Sequence, residues 1–171
     1  MKEIEVKILD IDVAAVRKKL KEIGATKFFE GDIESISFDF DDERLEKNGK
    51  MLRVRKAGER CEITFKGKNT SATFKKMDEI EVTTNDFNQT LDIFRRIGMK
   101  ELCHARKKRE CYKHGTIKFD VDTVPGIPTY VEVEAPTEKE VIKGVTSLGF
   151  TMKQTTNMNG FQVIEHYKRK K

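Results

Sequence analysis

Residues 1–8 read Met1-Lys2-Glu3-Ile4-Glu5-Val6-Lys7-Ile8, with Glu3, Glu5 and Lys7 alternating with Ile4, Val6 and Ile8. A period of two is that of a β-strand, whose successive side chains point to opposite faces. Two carboxylates and an ammonium therefore share one face, and three aliphatic side chains share the other. Closely set carboxylates repel unless something positive lies between them, and a divalent cation held by oxygen ligands is the usual answer. The opening strand is a candidate half of a metal site.

The same split recurs along the chain. Arg53 and Arg55 oppose Leu52 and Val54; Glu62, Thr64 and Lys66 oppose Ile63 and Phe65; Glu79 and Glu81 oppose Ile80 and Val82. Later, Lys118, Asp120 and Asp122 oppose Ile117, Phe119 and Val121, and Glu132 and Glu134 oppose Val131 and Val133. The spacing predicts strands over 2–9, 27–40, 51–57, 60–67, 73–83, 101–113, 116–123 and 129–135. Between them lie three helical patterns. Asp12 caps Val13, Val16, Leu20 and Ile23; Asp86 caps Phe87, Leu91, Phe94 and Ile97; Thr137, with Glu140, caps Val141, Val145 and Leu148. Gly24, Gly98 and Gly149 end them in similar phrases. Strand, helix and several strands, occurring twice, predict an antiparallel α+β fold with pseudo-duplicated halves. Residues 161–167 add a last strand or helix, and no Pro/Ser/Gly-rich linker interrupts a single domain over 1–171.

A solvated sheet face is the commonest cause of such alternation, but the signs of the charges point elsewhere. Strands with Glu79/Glu81, Asp120/Asp122 and Glu132/Glu134 are acidic, whereas Arg53/Arg55 and Lys107/Arg109 are basic pairs. Like charges side by side destabilise a plain surface sheet. Grouped carboxylates imply a hard cation, and grouped Arg and Lys imply phosphate oxygens. A metal–polyphosphate complex satisfies both.

Composition narrows the classes. At 171 residues and 37% hydrophobic the chain can bury a core. No signal peptide is visible, no apolar run reaches the roughly 18 residues of a membrane span, and Cys61, Cys103 and Cys111 lack C-x-x-C spacing. A soluble cytoplasmic protein with reduced thiols is expected. The net charge of +5 owes four charges to Lys168, Arg169, Lys170 and Lys171, so the body carries +5 − 4 = +1. With aromatics at 8% and no Trp, the sheet also lacks a stacking platform for nucleic acid. Cys103, His104, Cys111 and His114 match no common zinc spacing, and no glycine-rich phosphate loop occurs.

Glu3-x-Glu5-x-Lys7, Leu52-Arg53-Val54-Arg55, Ile63-Thr64-Phe65-Lys66, Glu79-x-Glu81, Lys107-x-Arg109, the Asp120/Asp122 strand and Glu132-x-Glu134 stand in an order that resembles the CYTH family of class IV adenylyl cyclases and thiamine triphosphatases, the triphosphate tunnel metalloenzymes. The resemblance covers about residues 1–135 and implies an eight-stranded antiparallel β-barrel, a triphosphate tunnel with helices packed outside. It implies Mg2+ or Mn2+ on Glu3, Glu5 and Glu134, assisted by Glu132 and by Asp120 or Asp122. It implies phosphate binding by Lys7, Arg53, Arg55, Lys66, Lys107 and Arg109, with Lys7, Lys66 and Arg109 in catalytic roles and Glu79 and Glu81 lining the site. The expected activity is conversion of ATP to cyclic AMP and pyrophosphate, with hydrolysis of a triphosphate or non-catalytic nucleotide binding as alternatives. Monomer and homodimer both stay open. Two positions depart from the family pattern: Ser37 stands where hydrolytic members often carry a tyrosine linked with thiamine triphosphate. Met77 stands where a basic residue precedes Glu79, leaving Lys75 or Lys76 to replace it.

Overall fold

The computed structural model describes residues 2–169, the side chains of Lys2 and Glu3 excepted. The metal ligand expected at Glu3 and the Lys170 and Lys171 end of the basic tail therefore lie outside the described residues. The strands are β1 (Lys2–Ile8), β2 (Thr26–Asp39), β3 (Met51–Ala57), β4 (Arg60–Lys66), β5 (Lys75–Thr84), β6 (Lys100–His114), β7 (Ile117–Thr123), β8 (Tyr130–Ala135) and the two-residue β9 (Thr155–Thr156). The helices are α1 (Val13–Glu22), α2 (Arg44–Lys47), α3 (Phe87–Arg96), α4 (Glu138–Ser147) and α5 (Gly160–Lys168).

Local chemistry accounts for the helix limits. The Asp12 carboxylate accepts from the backbone N–H groups of Ala14 and Ala15 at 2.9 and 3.1 Å, Asp86 accepts from Gln89, and Thr137 from Glu140. At the other end, Gly24 adopts φ 73°, and the N–H groups of Gly24 and Ala25 turn back onto the carbonyls of Lys21 and Leu20. This is a Schellman closure, which glycine permits because it lacks a Cβ. Gly98 and Gly149 close α3 and α4 with the same pair of bonds, so the repeated sequence phrase is one motif used three times.

The strands pair in the order β5-β4-β3-β2-β6-β7-β8-β1, and β1 pairs in turn with β5. This is the connectivity of a closed eight-stranded antiparallel β-barrel, with β9 added beside Lys7 and Ile8 of β1. Two compact units make up the chain. The first consists chiefly of Gly31–Asn69 and Met77–Lys107; the second of Glu3–Glu30, Thr70–Lys76 and the chain from Lys108 onward. These units are not the sequence halves. The strands β2 and β6, of 14 and 15 residues, each begin in one unit and end in the other, so long strands rather than a mid-chain boundary set the division.

Each unit has its own apolar layer. In the second, Ile4, Val6 and Ile8 of β1 join Phe119, Val121, Val131 and Val133, and are covered by Val16 and Leu20 of α1 and Val141 and Val145 of α4. Helix α4 lies close to β7 and β8 because Gly144 has no side chain. A Cβ there would meet Val133 at 2.6 Å and Ile117 at 2.9 Å. In the first unit Ile36, Phe38, Val54 and Cys61 pack against Leu91 of α3.

Two elements lack a periodic signal in the sequence. Helix α2 is four residues long and is held by Asp39, a fully buried carboxylate that accepts from the backbone of Phe40, Leu45 and Glu46. The C-terminal segment forms the helix α5, whose Val163 and Tyr167 pack on Tyr130 of β8; the Tyr167 hydroxyl donates to Asp10 at 2.6 Å.

Candidate functional site

The aliphatic faces of β1, β7 and β8 pack against α1 and α4 and those of β2, β3 and β4 against α3, whereas Ile80 and Val82 of β5 are exposed; the charged residues fall on the other face, and many of them are withdrawn from water there. Glu5, Lys7, Glu62, Thr64, Lys66, Arg109, Asp120, Asp122 and Glu132 are all buried. An exposed sheet surface would keep such groups in water, since an unpaired buried charge is too costly to persist. The burial excludes simple surface decoration.

In the second unit the register arranges the charged face in three rows across β6, β7, β8 and β1. Arg109 lies opposite Asp122, and Asp122 opposite Tyr130. The next row runs Cys111, Asp120, Glu132, Lys7, and the third Lys113, Lys118, Glu134, Glu5. Arg109 grips Asp122 with two parallel bonds of 2.6 and 2.7 Å and donates a further bond to Asp120. Lys7 bridges Glu5 at 2.9 Å and Glu132 at 2.8 Å, and Lys118 donates to Glu134 at 2.8 Å. Opposite charges thus meet at Arg109 and Asp122, at Lys7 and Glu132 and at Lys118 and Glu134, whereas Asp120 stands beside Glu132 and Glu134 beside Glu5.

These contacts set the protonation states. Burial opposes the Lys7 charge, but Glu132 and Glu5 outweigh it and raise its pKa above the ordinary lysine value. Burial likewise opposes the Arg109 charge, and Asp122 and Asp120 overcome it, so the guanidinium stays charged at any working pH. Asp120 is raised above the usual carboxylate range: burial and the neighbouring charges of Glu132 and Asp122 prevail over Arg109. Burial and the nearby Asp120 push the Cys111 thiol up to about 12, so it remains a neutral thiol.

In the first unit the rows run Ser35, Arg55, Glu62, Thr83 and Ser37, Arg53, Thr64, Glu81, followed by Met51, Lys66, Glu79. Arg55 donates twice to one oxygen of Glu62, at 2.9 and 2.6 Å; Lys66 meets Glu79 at 3.0 Å. Lys107, at the end of this unit, is half-buried. Each expected residue with a described side chain is therefore placed, Lys7, Arg109, Glu5, Asp120, Asp122, Glu132 and Glu134 in the second unit and Arg53, Arg55, Lys66, Lys107, Glu79 and Glu81 in the first.

Two further residues on these faces, Tyr130 and Cys111, are not among the expected site residues. They occupy the period-two positions next to Glu132 and Arg109, so the alternation that found their neighbours extends to them. Glu62, which the alternation places on the charged face of β4, lies opposite Arg55. Of the two candidates for the missing basic residue, Lys75 reaches the charged face, its ammonium 2.6 Å from Glu5, whereas Lys76 pairs with Glu138 at 3.1 Å.

A hard divalent cation suits the donors here. Glu5 and Glu134 stand directly opposite one another, a like-charge pair that a cation would relieve. Among the described residues no group of three or more His, Cys, Asp or Glu is gathered around one point. The carboxylates are instead drawn onto Lys7, Lys75, Lys118 and Arg109.

Comparison with known proteins agrees with this geometry. A family model described as the CYTH domain matches residues 1–156. A Methanocaldococcus jannaschii protein whose name proposes an adenylate cyclase is 31% identical over 134 residues, 78% of this chain and 77% of that one. Among solved structures, a Vibrio parahaemolyticus protein also proposed to be an adenylate cyclase superposes with a TM-score of 0.84 at 15% identity, over 95% of this chain and 97% of the other. A Hippeastrum protein described as a proposed adenylyl cyclase with a dominant triphosphatase activity superposes with a TM-score of 0.65 at 16% identity, over 96% and 95%.

Proposed function

This chain belongs to the CYTH domain family, and from that premise we propose that it is a metal-dependent enzyme acting on a triphosphate, converting ATP to cyclic AMP and pyrophosphate. The observation that carries the proposal is the buried lattice in which Lys7 and Arg109 are kept charged by carboxylates. Cations fixed in advance away from water stabilise developing phosphate charge without reorganising during the reaction.

In this reaction the ribose 3′-oxygen bonds to the α-phosphorus as the bond to pyrophosphate breaks, and the hydroxyl proton passes to solvent water. Arg109, oriented by Asp122, and Lys7, oriented by Glu132, are assigned to the phosphoryl oxygens, together with Lys66, Arg53, Arg55 and Lys107. Glu79 and Glu81 set the positions of Lys66 and of the Arg55 and Arg60 pair. Glu5 and Glu134, with Glu3 two residues before Glu5, would hold Mg2+ or Mn2+, with Asp120 and Glu132 beside them. The metal would neutralise phosphate oxygens and acidify the attacking hydroxyl. The whole chain is taken as one domain acting in the cytoplasm. Its cysteines are all free thiols, and among the described residues no helix is long and apolar enough to cross a membrane.

A second reading, hydrolysis of a triphosphate by water, draws on the activity described for the Hippeastrum relative. Incubation with ATP or tripolyphosphate and Mg2+ or Mn2+ separates the two. Cyclic AMP with pyrophosphate supports the cyclase, orthophosphate the hydrolase, and binding without turnover would overturn both. In either case E5Q and E134Q should each lower turnover at least about a hundredfold while circular dichroism shows an intact fold. Full activity in both variants would remove the carboxylates from the mechanism.

A further inference from the structure

On β8 the period of two runs Tyr130, Glu132, Glu134, so Tyr130 opens the charged face of that strand. It stands in the row of Arg109 and Asp122, one row from the Lys7 and Glu132 pair, and is 2% exposed. Its ring packs on Val163 and Tyr167 of α5, and the two tyrosines differ at their hydroxyls. That of Tyr167 donates to Asp10 at 2.6 Å, whereas among the described residues that of Tyr130 has no hydrogen-bond partner. The acceptors nearest in the rows are engaged elsewhere: Asp122 is gripped by Arg109, and Glu132 meets Lys7. Burial, with the charges of Asp122 and Glu132, outweighs Lys7 and Arg109 and holds the phenol well above its ordinary pKa, so it keeps its proton. A buried donor without an acceptor is costly, and its persistence calls for a partner.

Resting on the triphosphate reading of this site, we propose that Tyr130 is a further substrate-binding residue, whose hydroxyl donates to a phosphate oxygen drawn in by Lys7 and Arg109. An anionic oxygen accepts hydrogen bonds and donates none, so it supplies what the hydroxyl lacks. The phenol adds a directed bond to the two cations without adding charge. Its ring is already seated on α5, so binding does not have to order it.

The test is calorimetric titration of wild type, Y130F and Y167F with tripolyphosphate in the presence of Mg2+, with a thermal melt of each. Y130F keeps the ring and loses only the unengaged hydroxyl, so it should melt no lower than wild type. It should bind tripolyphosphate at least about tenfold more weakly, the worth of one hydrogen bond to a charged group. Y167F should do the reverse, melting lower through the lost bond to Asp10 and keeping wild-type affinity. A second readout is spectroscopic. The chain has three tyrosines and no tryptophan, so tyrosine absorption can be followed as tripolyphosphate binds, and the change seen in wild type should vanish in Y130F. Wild-type affinity in Y130F overturns the assignment and leaves triphosphate binding intact, and so does a wild type whose tyrosine absorption ignores bound tripolyphosphate. Equal weakening by Y167F also overturns it, since the packing of α5 rather than the Tyr130 hydroxyl would then govern affinity. A wild type that binds no tripolyphosphate with Mg2+ or Mn2+ overturns the triphosphate reading itself, and the assignment with it.

Discussion

Arg55 and Arg109 each lie opposite an acidic residue of the next strand, Glu62 and Asp122, yet they are kept in different ways. Arg55 meets Glu62 while its side chain is 21% exposed, and its neighbour Arg60, which shares Glu62, is 62% exposed. Arg109 is 8% exposed and is clasped by Asp120 and Asp122, which are 10% and 0% exposed. In the first unit a part-exposed arginine can adjust to what binds. In the second, charge has been removed from water and must be compensated on the spot, so the same lattice that orders the site also holds the unit together.

The largest expected effect separates these roles. R109A would leave two carboxylates buried without their cation, which costs about 3–5 kcal/mol when a buried pair is broken from one side. For a chain of this size that is a fall in melting temperature of roughly 10 °C. R55A, in a part-exposed pair, should cost less than about 1 kcal/mol while still weakening tripolyphosphate binding at least about tenfold. Thermal melts beside calorimetric titrations check both. Equal destabilisation by the two substitutions would erase the contrast between the units.

A second effect sharpens the contrast by assigning ligands. Tripolyphosphate with Mg2+ should raise the melting temperature more than the two components added separately, because each neutralises charge the other leaves. At a hundredfold excess over Kd the gain is about 2.7 kcal/mol. Hydrogen exchange should show Mg2+ protecting β1 and β8 first, and tripolyphosphate extending protection to β3 and β4. Melts without synergy would mean that the internal salt bridges already satisfy the face and that no joint ligand is needed.

What the sequence revealed and what it hid follow from the range of each signal. Alternation in β1, β3, β4, β7 and β8 and the three glycine closures are local, so strands, helices and the charged face could all be read directly. Cross-strand pairing is not local. That Asp120 shares a row with Glu132 while Asp122 lies next to Tyr130 depends on register, which a strand cannot declare by itself. The grouping of charges by strand suggested repulsion awaiting a ligand, whereas Lys7, Lys75 and Arg109 already supply much of the neutralisation. Helix α2 escaped notice for a similar reason, since it is organised by the carboxylate of Asp39, six residues before Leu45.

The smallest effect concerns the outer side of β6, where the units differ again. Glu110 of the second unit is buried and accepts from Arg17 of α1, from the Tyr112 hydroxyl at 2.7 Å and from Lys27, so it ties α1 to the strands. Glu34 of the first unit meets His104 and Arg106, but Arg106 is 71% exposed and the cluster is open to water. Burial opposes the Glu110 charge, but Arg17, Tyr112 and Lys27 outweigh it and bring its pKa from an ordinary 4.5 down to about 2. A carboxyl lowered on folding contributes its stabilisation in full above the unfolded value and loses it as pH falls through the folded value. Stability should thus decline between about pH 4.5 and pH 2. The amount is about 2 kcal/mol after discounting the half-exposed Arg17. E110Q should lose that amount near pH 7 and flatten the acid limb of a urea-denaturation series, whereas E34Q should alter neither by more than about 0.5 kcal/mol. An unchanged acid limb in E110Q would show that the outer cluster adds nothing to folding, and would leave the inner lattice around Arg109 as the source of the second unit's electrostatic stability.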